Sequence, residues 1–543
     1  MTESGRADVA DERLRHSRRL DWRFLLDEPT LGSVLLSAGE GSDLGDALRA
    51  IAGSVRSLDG PAGAGGSGPP AGVIVLERPG RSTLARAVDA VPPGGWLVVE
   101  LDGPLFRHEG RWRVGPAGGA VRMARRLRAA GLDAVSTHLA WPDHGSPTAL
   151  VPLDGPTALA AMLARREHRW IARAARRLGP LVARARLPQL VAPATIVLAR
   201  RPYAGRDRLP SDAGWLAARL AASPDTASGT SPGAPEVLLL TPRYRASAHV
   251  VGLALDLADP EAGPARVVKA ARLPDGGGSL AREAAALRQV EPMLGVTGHA
   301  PRVIGLGTDA GVPYLVETGL AGRALDPATV RRDPRAAADA IRAFVARLPV
   351  TATAAGEERP FERLVSPAWH AVSSLVAGRS APEDLGGIGE RLIRSAASAR
   401  LPTVVEHGDL AHPNLLLAED GRLAAVDWER AETAGLPLHD LVMGLAYVCA
   451  AARGARTPSD QAAAFTEALT GSDPWAGAIV DAELDRLGIA RHLRGALLIA
   501  PWLRTAAWLA ERTATDWLVT DRSIALARAM LRVSDLAGGD RPS

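Results

Sequence analysis

Three oxygen-bearing side chains near the middle of the second half have the types and spacing that phosphoryl transfer requires. Residues 407–414 read HGDLAHPN, and Asp427 follows at the end of a short apolar run. Phosphoryl transfer needs a carboxylate that orients a hydroxyl proton and two oxygen ligands for Mg²⁺. Asp409 suits the first role, and Asn414 and Asp427 suit the two ligand positions. The turn at 419–421 favours a hairpin that would return Asp427 to the loop.

Lys269 and Asn414 are the only lysine and the only asparagine of this 543-residue chain, although lysine and arginine together number 64. Lys269 lies in an apolar stretch, 265–271, that indicates a strand. An unpaired ammonium is costly to bury, so this side chain needs an anionic partner. ATP phosphates and a glutamate on the next predicted helix would satisfy it. Glu283 is the candidate, with Glu291 as the alternative.

Each of these residues also has a purely structural interpretation when it is taken alone. Asp and Asn often cap turns, so Asp409 and Asn414 could close a loop and Asp427 could start one. The spaced set together with Lys269 makes coincidence a poor explanation, because both unique residues fall where phosphoryl transfer would need them.

At these residues the sequence resembles the aminoglycoside phosphotransferase and choline kinase family, which has a protein-kinase-like fold. The resemblance rests on HGDLAHPN and on AAVDWE, and it covers roughly residues 236–536. It implies an α+β bilobal domain with a sheet-based lobe at 236–326 and a helical lobe at 327–540. It also implies ATP and Mg²⁺ as cofactors and a hydroxylated small molecule as substrate. His407 would be a structural residue of the catalytic loop, and Asp440 would be a structural residue that caps a helix packed under this loop.

The smaller lobe should supply further contacts to the nucleotide. In protein kinases the turn between the first two strands covers the ATP phosphates. Here that turn reads TPRYRAS, and Ser247 is the candidate phosphate contact. Glu317 begins the stretch that the resemblance places beside the adenine.

The first half alternates predicted strands and helices, which indicates an α/β domain with a doubly wound, mostly parallel sheet at residues 21–204. A strand at 31–38 leads into Gly39 and Gly41 and then a helix, as in a nucleotide-binding unit. A tight turn is the alternative interpretation of the two glycines. Residues 1–20 are predicted to be a polar leader. The linker to the second domain is placed at 205–235, where Pro, Ser, Gly and Thr are frequent.

This half resembles a degenerate class I SAM-dependent methyltransferase domain, on the segment VLLSAGEG and on the order of elements around PPGGWLVVE. A structural or substrate-presenting domain is the alternative to an active one. The resemblance implies SAM as a cofactor at Gly39 and Gly41, with Asp59 as the candidate for the ribose contact. The arginine-rich segment 157–187 is predicted to be helical. A solvated basic face is its simpler interpretation, and an anionic or lipid partner is the alternative.

Composition limits the remaining possibilities. The net charge of +4 comes without a long basic tail, so we expect no nucleic-acid partner. The single cysteine, Cys449, excludes an internal disulfide and a cysteine-rich zinc site. The sequence contains no apolar run long enough to predict a membrane span. The polar leader is also unlike a secretory signal. A cytoplasmic enzyme is therefore expected.

Two further functions stay open at this stage. The chain could be a SAM-dependent methyltransferase whose kinase-like half is regulatory. Both halves could instead be a non-catalytic scaffold, although retention of the unique lysine and asparagine speaks against that. The sequence does not identify the phosphate acceptor.

Overall fold

The computed structural model divides the chain into two compact units, each of which is described by itself. The first unit comprises Met1–Ala281 and Val303–Gly319, and the second comprises Arg282–Arg302 and Leu320–Ser543. The structure describes residues 12–39, 41–59, 71–103, 105–108, 111–114, 119–164, 192, 194–203, 214–221, 236–242, 247–255, 263–294, 299–351, 359–377, 387–512 and 521–537.

A twelve-stranded sheet forms the centre of the first unit. Its strand order is β13-β14-β12-β11-β10-β8-β7-β9-β4-β3-β1-β2. A separate two-stranded hairpin, β5-β6, was not predicted from the sequence. The strands are β1 Ser33–Ser37, β2 Ser54–Ser57, β3 Val73–Glu77, β4 Trp96–Asp102, β5 Leu105–His108, β6 Arg111–Val114, β7 Asp133–Trp141, β8 Ala149–Pro152, β9 Ala194–Arg200, β10 Glu236–Leu240, β11 His249–Leu255, β12 Pro264–Ala271, β13 Val303–Asp309 and β14 Val312–Thr318.

The prediction of a doubly wound, mostly parallel sheet in the first half is not confirmed. Strands β2, β1, β3 and β4 are parallel to one another. Strand β9, however, lies between β4 and β7 and is antiparallel to both, and β8 is antiparallel to β7. Parallel neighbours need long crossovers, whereas short connections such as the one between β7 and β8 permit antiparallel pairing.

The sheet continues without a break from the first half into the predicted kinase-like lobe. Strand β10 pairs with β8, with Leu239 opposite Leu150 and Leu240 opposite Ala149. The predicted linker at 205–235 includes a helix, Gly214–Ala221. The segment GWLAARLA is apolar enough to form a buried helix. The Pro- and Ser-rich residues that follow it favour the prediction of a linker over all of residues 205–235. The domain boundaries proposed from the sequence stay predictions.

Both faces of this sheet are covered by helices. One face forms a core that extends from Val34 of β1 to Val316 of β14 and includes Trp215 of the Gly214–Ala221 helix. Trp215 also donates through its indole nitrogen to Asp309, at 2.7 Å. The other helices of this unit lie at residues 12–19, Asp43–Ile51, Arg81–Ala90, Gly119–Ala129 and Pro156–Ala164, and Gly277–Leu294 begins in it. Most of the predicted basic helix at 157–187 lies outside the described residues.

The second unit is mainly helical. Its short strands are β15 Arg323–Ala324, β16 Val350–Thr351, β17 Thr403–Glu406, β18 Leu415–Leu417, β19 Leu423–Ala425 and β20 Glu432–Gly435. Its helices, besides the end of Gly277–Leu294, are Pro327–Arg332, Pro334–Val345, Pro360–Ala377, Gly387–Ala397, His439–Arg453, Pro458–Thr470, Trp475–Arg486, Arg494–Arg512 and Arg522–Ala537.

Three of these helices begin with a capping residue followed by proline. Asp326, Asp333 and Thr457 each accept a backbone N–H from the first turn through the side chain. Proline fits the first helical position because its missing N–H would have no intrahelical partner there. The central helix, His439–Arg453, is buried along most of its length and ends at Gly454, which has a φ of 64°.

No helix in the described part of the chain is long and apolar enough to cross a membrane.

Candidate active site

The loop that follows β17 is held in place by the carboxylate of Asp440. Asp440 lies in the first turn of the central helix and accepts the N–H groups of His407, at 2.6 Å, and Gly408, at 2.9 Å. All three residues are buried. Burial, followed by the charge of Glu406, raises the pKa of the Asp440 carboxyl to about 7. The catalytic loop, residues 407–414, thus rests on one buried acidic group.

The His407 ring joins the start of the catalytic loop to the strand before Asp427. Its Nδ1 accepts the N–H of Asp409 at 3.2 Å, so its Nε2 carries the proton and donates to the carbonyl of Val426 at 3.0 Å. Burial lowers the pKa of His407, which favours this neutral form. The ring also packs edge-on against Trp428, with centroids 4.7 Å apart. These contacts give His407 the structural role that the resemblance implied.

Asp409 and Asn414 are in direct contact. The Asn414 side-chain amide donates from Nδ2 to the backbone carbonyl and to Oδ2 of Asp409, both at 3.1 Å. The amide oxygen of Asn414 therefore points away from Asp409 and is the atom that could ligate a cation. Asp409 is partly exposed, which leaves its carboxylate accessible to a reactant.

A short hairpin returns the chain to this loop, as the sequence predicted. Strands β18 and β19 pair with Leu415 opposite Ala425, and the N–H of Val426 donates to the carbonyl of Asn414 at 2.9 Å. Asp427 follows at once, with a left-handed φ of 71° and a buried Oδ1. Such a conformation is uncommon outside glycine and often marks a functional position. The hairpin thus brings the backbone beside Asp427 into contact with Asn414.

Gly408 permits the close approach of the next segment. Its φ is +82°, and a Cβ atom there would lie 2.4 Å from the carbonyl oxygen of Arg430. No L-residue could occupy this position without moving the backbone.

A buried network of charged groups lies next to the catalytic loop. Glu406 accepts two hydrogen bonds from Nη1 of Arg504, at 2.7 and 2.8 Å, and the N–H of Leu436 at 2.9 Å. The same Arg504 nitrogen lies 2.9 Å from Nδ1 of His439. Burial raises the pKa of Glu406 and lowers that of His439 well below its usual value. Glu406 and Arg504 were not singled out from the sequence, although a lone arginine in an apolar helix signals a buried partner.

The helix that carries Arg504 also positions Arg430. The guanidinium of Arg430 lies over the Trp508 ring, 4.8 Å from its centroid, and donates to the Thr505 hydroxyl at 3.3 Å. Burial lowers the pKa of Arg430, while the charge of Asp409 acts in the opposite direction. Arg430 is therefore a second cationic group whose field reaches the catalytic loop.

Lys269 in the first unit forms a buried ion pair. Its Nζ lies 3.5 Å from Oε1 of Glu317, and the two side chains are only 6% and 2% exposed. Strand pairing explains the contact, because Lys269 of β12 is opposite Leu315 of β14, two residues before Glu317. The sequence resemblance implies a place for Glu317 beside the adenine and does not predict its contact with the lysine.

Glu283 lies in the part of the Gly277–Leu294 helix that belongs to the second unit. It is buried, and its Oε1 accepts the N–H of Trp428 at 3.2 Å. Glu283 thus helps to fix the residue directly after Asp427. Its expected role as the partner of Lys269 stays a prediction, as does the alternative, Glu291.

Gly39 and Gly41 lie at the carboxyl end of β1, where nucleotide-binding α/β folds place a ligand. Gly41 has a φ of +71°, and the Gly39 carbonyl accepts the N–H of Ser42 at 3.2 Å. Ser42 caps the following helix and donates to Glu77 at 2.7 Å. These contacts form a tight strand-to-helix turn, and a role in SAM binding stays a prediction.

Asp59, the candidate for a ribose contact, already has two partners. It accepts the Ser37 hydroxyl at 2.6 Å and pairs with Arg86 at 2.5 Å. The hydrogen bond from Ser37, together with Arg86, lowers the pKa of this carboxyl.

The donor set in the second unit fits magnesium better than zinc. Asn414 and Asp427 offer an amide and a carboxylate oxygen, and Mg²⁺ prefers such hard ligands and keeps several waters or phosphate oxygens. Within the described ranges, no group of three or more His, Cys, Asp or Glu side chains could hold a metal ion by itself. The residues present therefore suit a cation that a phosphorylated ligand helps to bind.

A strand-rich segment followed by helices that carry this loop and hairpin is the architecture of a kinase-like fold. Residues 257–477 match the model of the phosphotransferase enzyme family. The matched segment includes Lys269, Asp409, Asn414 and Asp427, but not Ser247. The family assignment confirms the resemblance for the C-terminal part and supports a phosphotransferase enzyme, while no finding supports the methyltransferase-like half. No curated protein sequence matches the chain.

Similar solved structures include aminoglycoside phosphotransferases and a choline kinase. The aminoglycoside phosphotransferase APH(3'')-Id from Streptomyces rimosus is 22% identical, with 48% of this chain and 90% of that chain covered and a TM-score of 0.31. A thermostable mutant of APH(4)-Ia, in a ternary complex with ADP and hygromycin B, is 14% identical over 56% of this chain and 95% of that chain, with a TM-score of 0.37. Choline kinase LicA from Streptococcus pneumoniae is 12% identical over 52% of this chain and 90% of that chain, with a TM-score of 0.34.

Proposed function

We propose that this protein is an ATP- and magnesium-dependent phosphotransferase that acts on a hydroxyl group of a small molecule. The arrangement of the catalytic loop carries the proposal. The Asn414 amide is fixed by Asp409, and the backbone beside Asp427 is fixed by Asn414 and His407. A carboxylate and two candidate oxygen ligands are thereby held by hydrogen bonds that do not depend on a ligand.

Each side chain then has a distinct role. Asp409 orients the acceptor hydroxyl and takes its proton as the oxygen attacks the γ-phosphorus of ATP. The bond from that phosphorus to the β–γ bridging oxygen breaks, and ADP leaves. Asn414 and Asp427 would hold magnesium, which supplies charge neutralisation for the phosphates when it is bound. Most of the catalytic effect would come from positioning and from charge stabilisation.

Lys269 is assigned to the α- and β-phosphates. Its ion pair with Glu317 holds the ammonium in a buried position, where its charge is poorly screened and acts more strongly on an anionic ligand. Ser247 is assigned to a phosphate contact at the start of β11. We expect Lys269→Met to weaken ATP binding, while Lys269→Arg, which keeps the charge but has a different shape, should restore it only in part.

The acceptor is best found by measuring ADP release from ATP and Mg²⁺ across a panel of hydroxylated small molecules. The panel should include aminoglycosides, amino sugars, choline-like alcohols and nucleosides. The proposal expects at least one acceptor to stimulate ADP release in the wild type, with stoichiometric phosphate on the acceptor hydroxyl. Asp409→Asn is the control that should bind ATP but not respond. Binding of ATP without transfer to any acceptor, in wild type and variant alike, would contradict a catalytic role.

A further inference from the structure

One buried arginine in the first unit contacts the backbone both just after β10 and at the start of β11. Arg272, directly after β12, donates from Nη1 to the carbonyls of Ser247, at 2.9 Å, and His249, at 2.8 Å. Its Nη2 donates to the carbonyl of Pro242 at 3.2 Å. Nε and Nη2 also bind the carboxylate of Asp21, at 2.9 to 3.3 Å. A single guanidinium therefore links the end of β10 to the start of β11.

Asp21 reaches this arginine from a distant part of the chain. It opens a short 3₁₀ helix, Asp21–Leu25, and neither Asp21 nor Arg272 exposes any of its side chain to solvent. Two neighbouring arginines reinforce the contact: Arg23 donates to the Arg272 carbonyl at 2.5 Å, and Arg18 donates to the Ser247 carbonyl at 3.2 Å. We call residues 17–26 the N-terminal brace.

The other side of the brace is anchored to the first half of the sheet. Arg19 forms two hydrogen bonds of 2.7 Å with the buried carboxylate of Glu100 on β4, and a third of 3.1 Å with Asp43. Glu100 lies near the carboxyl end of the parallel strands, where an α/β fold would place a ligand. Two consecutive residues of the brace, Arg18 and Arg19, thus contact the backbone of Ser247 and strand β4.

This arrangement positions Ser247 through the N-terminal brace. A guanidinium with every N–H donor engaged holds its acceptors in one geometry, because its five donors form a rigid fork. The carboxylate of Asp21 sets the orientation of that fork. Without Asp21, a buried charge would lose its counter-ion, and the backbone at Ser247 would lose its fixed support.

We propose that Asp21 and Arg272 are positioning residues for nucleotide binding, which they support by fixing Ser247 and the adjacent ends of β10 and β11. This inference rests on the proposed function, in which Ser247 contacts a phosphate. It gives the first half of the chain a role in the phosphotransfer reaction that requires no methyl transfer. The strands before residue 204 support the nucleotide site through the anchor at Glu100.

A matched pair of variants tests the proposal. Asp27 lies in the same N-terminal region and also binds an arginine and a tryptophan of the sheet, Arg200 at 2.6 Å and Trp96 at 2.5 Å. Among the described residues, Asp27 makes no hydrogen bond to the backbone of Pro242, Ser247 or His249. We expect Asp21→Asn to raise the Kd for Mg-ATP roughly tenfold and Asp27→Asn to leave it within about twofold. Thermal unfolding of both variants measures the accompanying loss of stability.

The outcomes separate positioning from general destabilisation. A selective rise in the Kd for Asp21→Asn supports the proposal, and an unchanged Kd or an equal rise in both variants overturns it. If Asp21→Asn does not fold, Arg272→Lys takes its place, because lysine keeps the charge near Asp21 but cannot bridge both strands. That variant should fold and should show the same selective rise, and an unchanged Kd would overturn the proposal.

Hydrogen exchange distinguishes failure of this inference from failure of the proposed function. If the wild type binds no Mg-ATP, the proposed function fails, while the exchange of amides at 247–251 still reports on positioning. Faster amide exchange at 247–251 in Asp21→Asn than in Asp27→Asn supports the proposal that Asp21 positions this backbone. Equal exchange in the two variants overturns it.

Discussion

Replacing Gly408 with alanine should displace its neighbour Asp409, the proposed catalytic aspartate. The added Cβ would lie 2.4 Å from the Arg430 carbonyl oxygen and 3.0 Å from the Arg430 carbonyl carbon. An ordinary contact is about 3.4 Å, so the two segments must separate by roughly 1 Å, and both contacts are with backbone that cannot rotate away. A left-handed φ also raises the conformational free energy of the folded state by about 1 kcal/mol for a residue other than glycine.

We therefore expect Gly408→Ala to lose roughly 2–4 kcal/mol of unfolding free energy, from the conformational cost and the overpacking together. A shift of about 1 Å at Asp409 should lower kcat by roughly a hundredfold, because misplacement of that size has such an effect in positioned active sites. Urea unfolding and initial rates of phosphate transfer measure the two quantities.

Gly421→Ala is the matched control for this variant. Gly421 lies in the β18–β19 turn with a φ of +81°, but nothing lies within 4 Å of a Cβ added there. The Gly421→Ala variant should lose only about 1 kcal/mol of unfolding free energy and should keep a near-normal kcat. Equal kcat values for the two variants, or a wild-type rate for Gly408→Ala, would refute the reasoning about the close approach of Arg430.

Three further outcomes follow from the buried charges and the loop. Asp409→Asn should lower kcat by roughly 10²–10⁴-fold with little change in the Kd for ATP, and a parallel loss of ATP binding would argue against its role at the acceptor. Arg504→Met should lower the free energy of unfolding by roughly 3–5 kcal/mol because it leaves buried Glu406 without its cation. Arg422→Met, which breaks an exposed pair with Asp420, should leave the free energy of unfolding almost unchanged. The raised pKa of Asp440, about 7 against an ordinary 3.8, means that the folded protein keeps a proton that the unfolded chain has released. The contribution of Asp440 to stability should therefore fall as the pH rises from 3.8 to about 7. Glu406, whose pKa is also raised, stays in both proteins, so urea unfolding across this range should show a steeper fall of stability with pH in the wild type than in Asp440→Asn. Parallel curves would contradict this prediction.

The sequence predicts the catalytic loop well because its geometry is local. Asp409 and Asn414 are five positions apart, and the hairpin that leads to Asp427 has a turn with a clear signature, so the contacts among these residues follow from short-range rules. Lys269 could likewise be recognised, because a unique lysine in an apolar strand demands a partner.

The features that the sequence does not predict depend on contacts between residues far apart in the chain. Asp21 and Arg272 are 251 positions apart, and Glu406 and Arg504 are 98 positions apart. No periodicity or turn signal encodes such pairs, since each arginine has many acidic residues within reach of an unfolded chain. The pairing of β8 with β10 was missed for the same reason, because the intervening Pro- and Ser-rich segment suggested two separate sheets.

Calorimetric titration of ATP into the full chain, with Mg²⁺ and with a chelator, is the decisive test of whether this protein binds ATP through magnesium. We expect one site per chain that binds ATP more tightly with Mg²⁺, and we expect Asp427→Ala to lose this magnesium-dependent gain. Absence of ATP binding with Mg²⁺, or a wild-type affinity that is the same with and without the cation, would show that the protein is not a magnesium-dependent phosphotransferase.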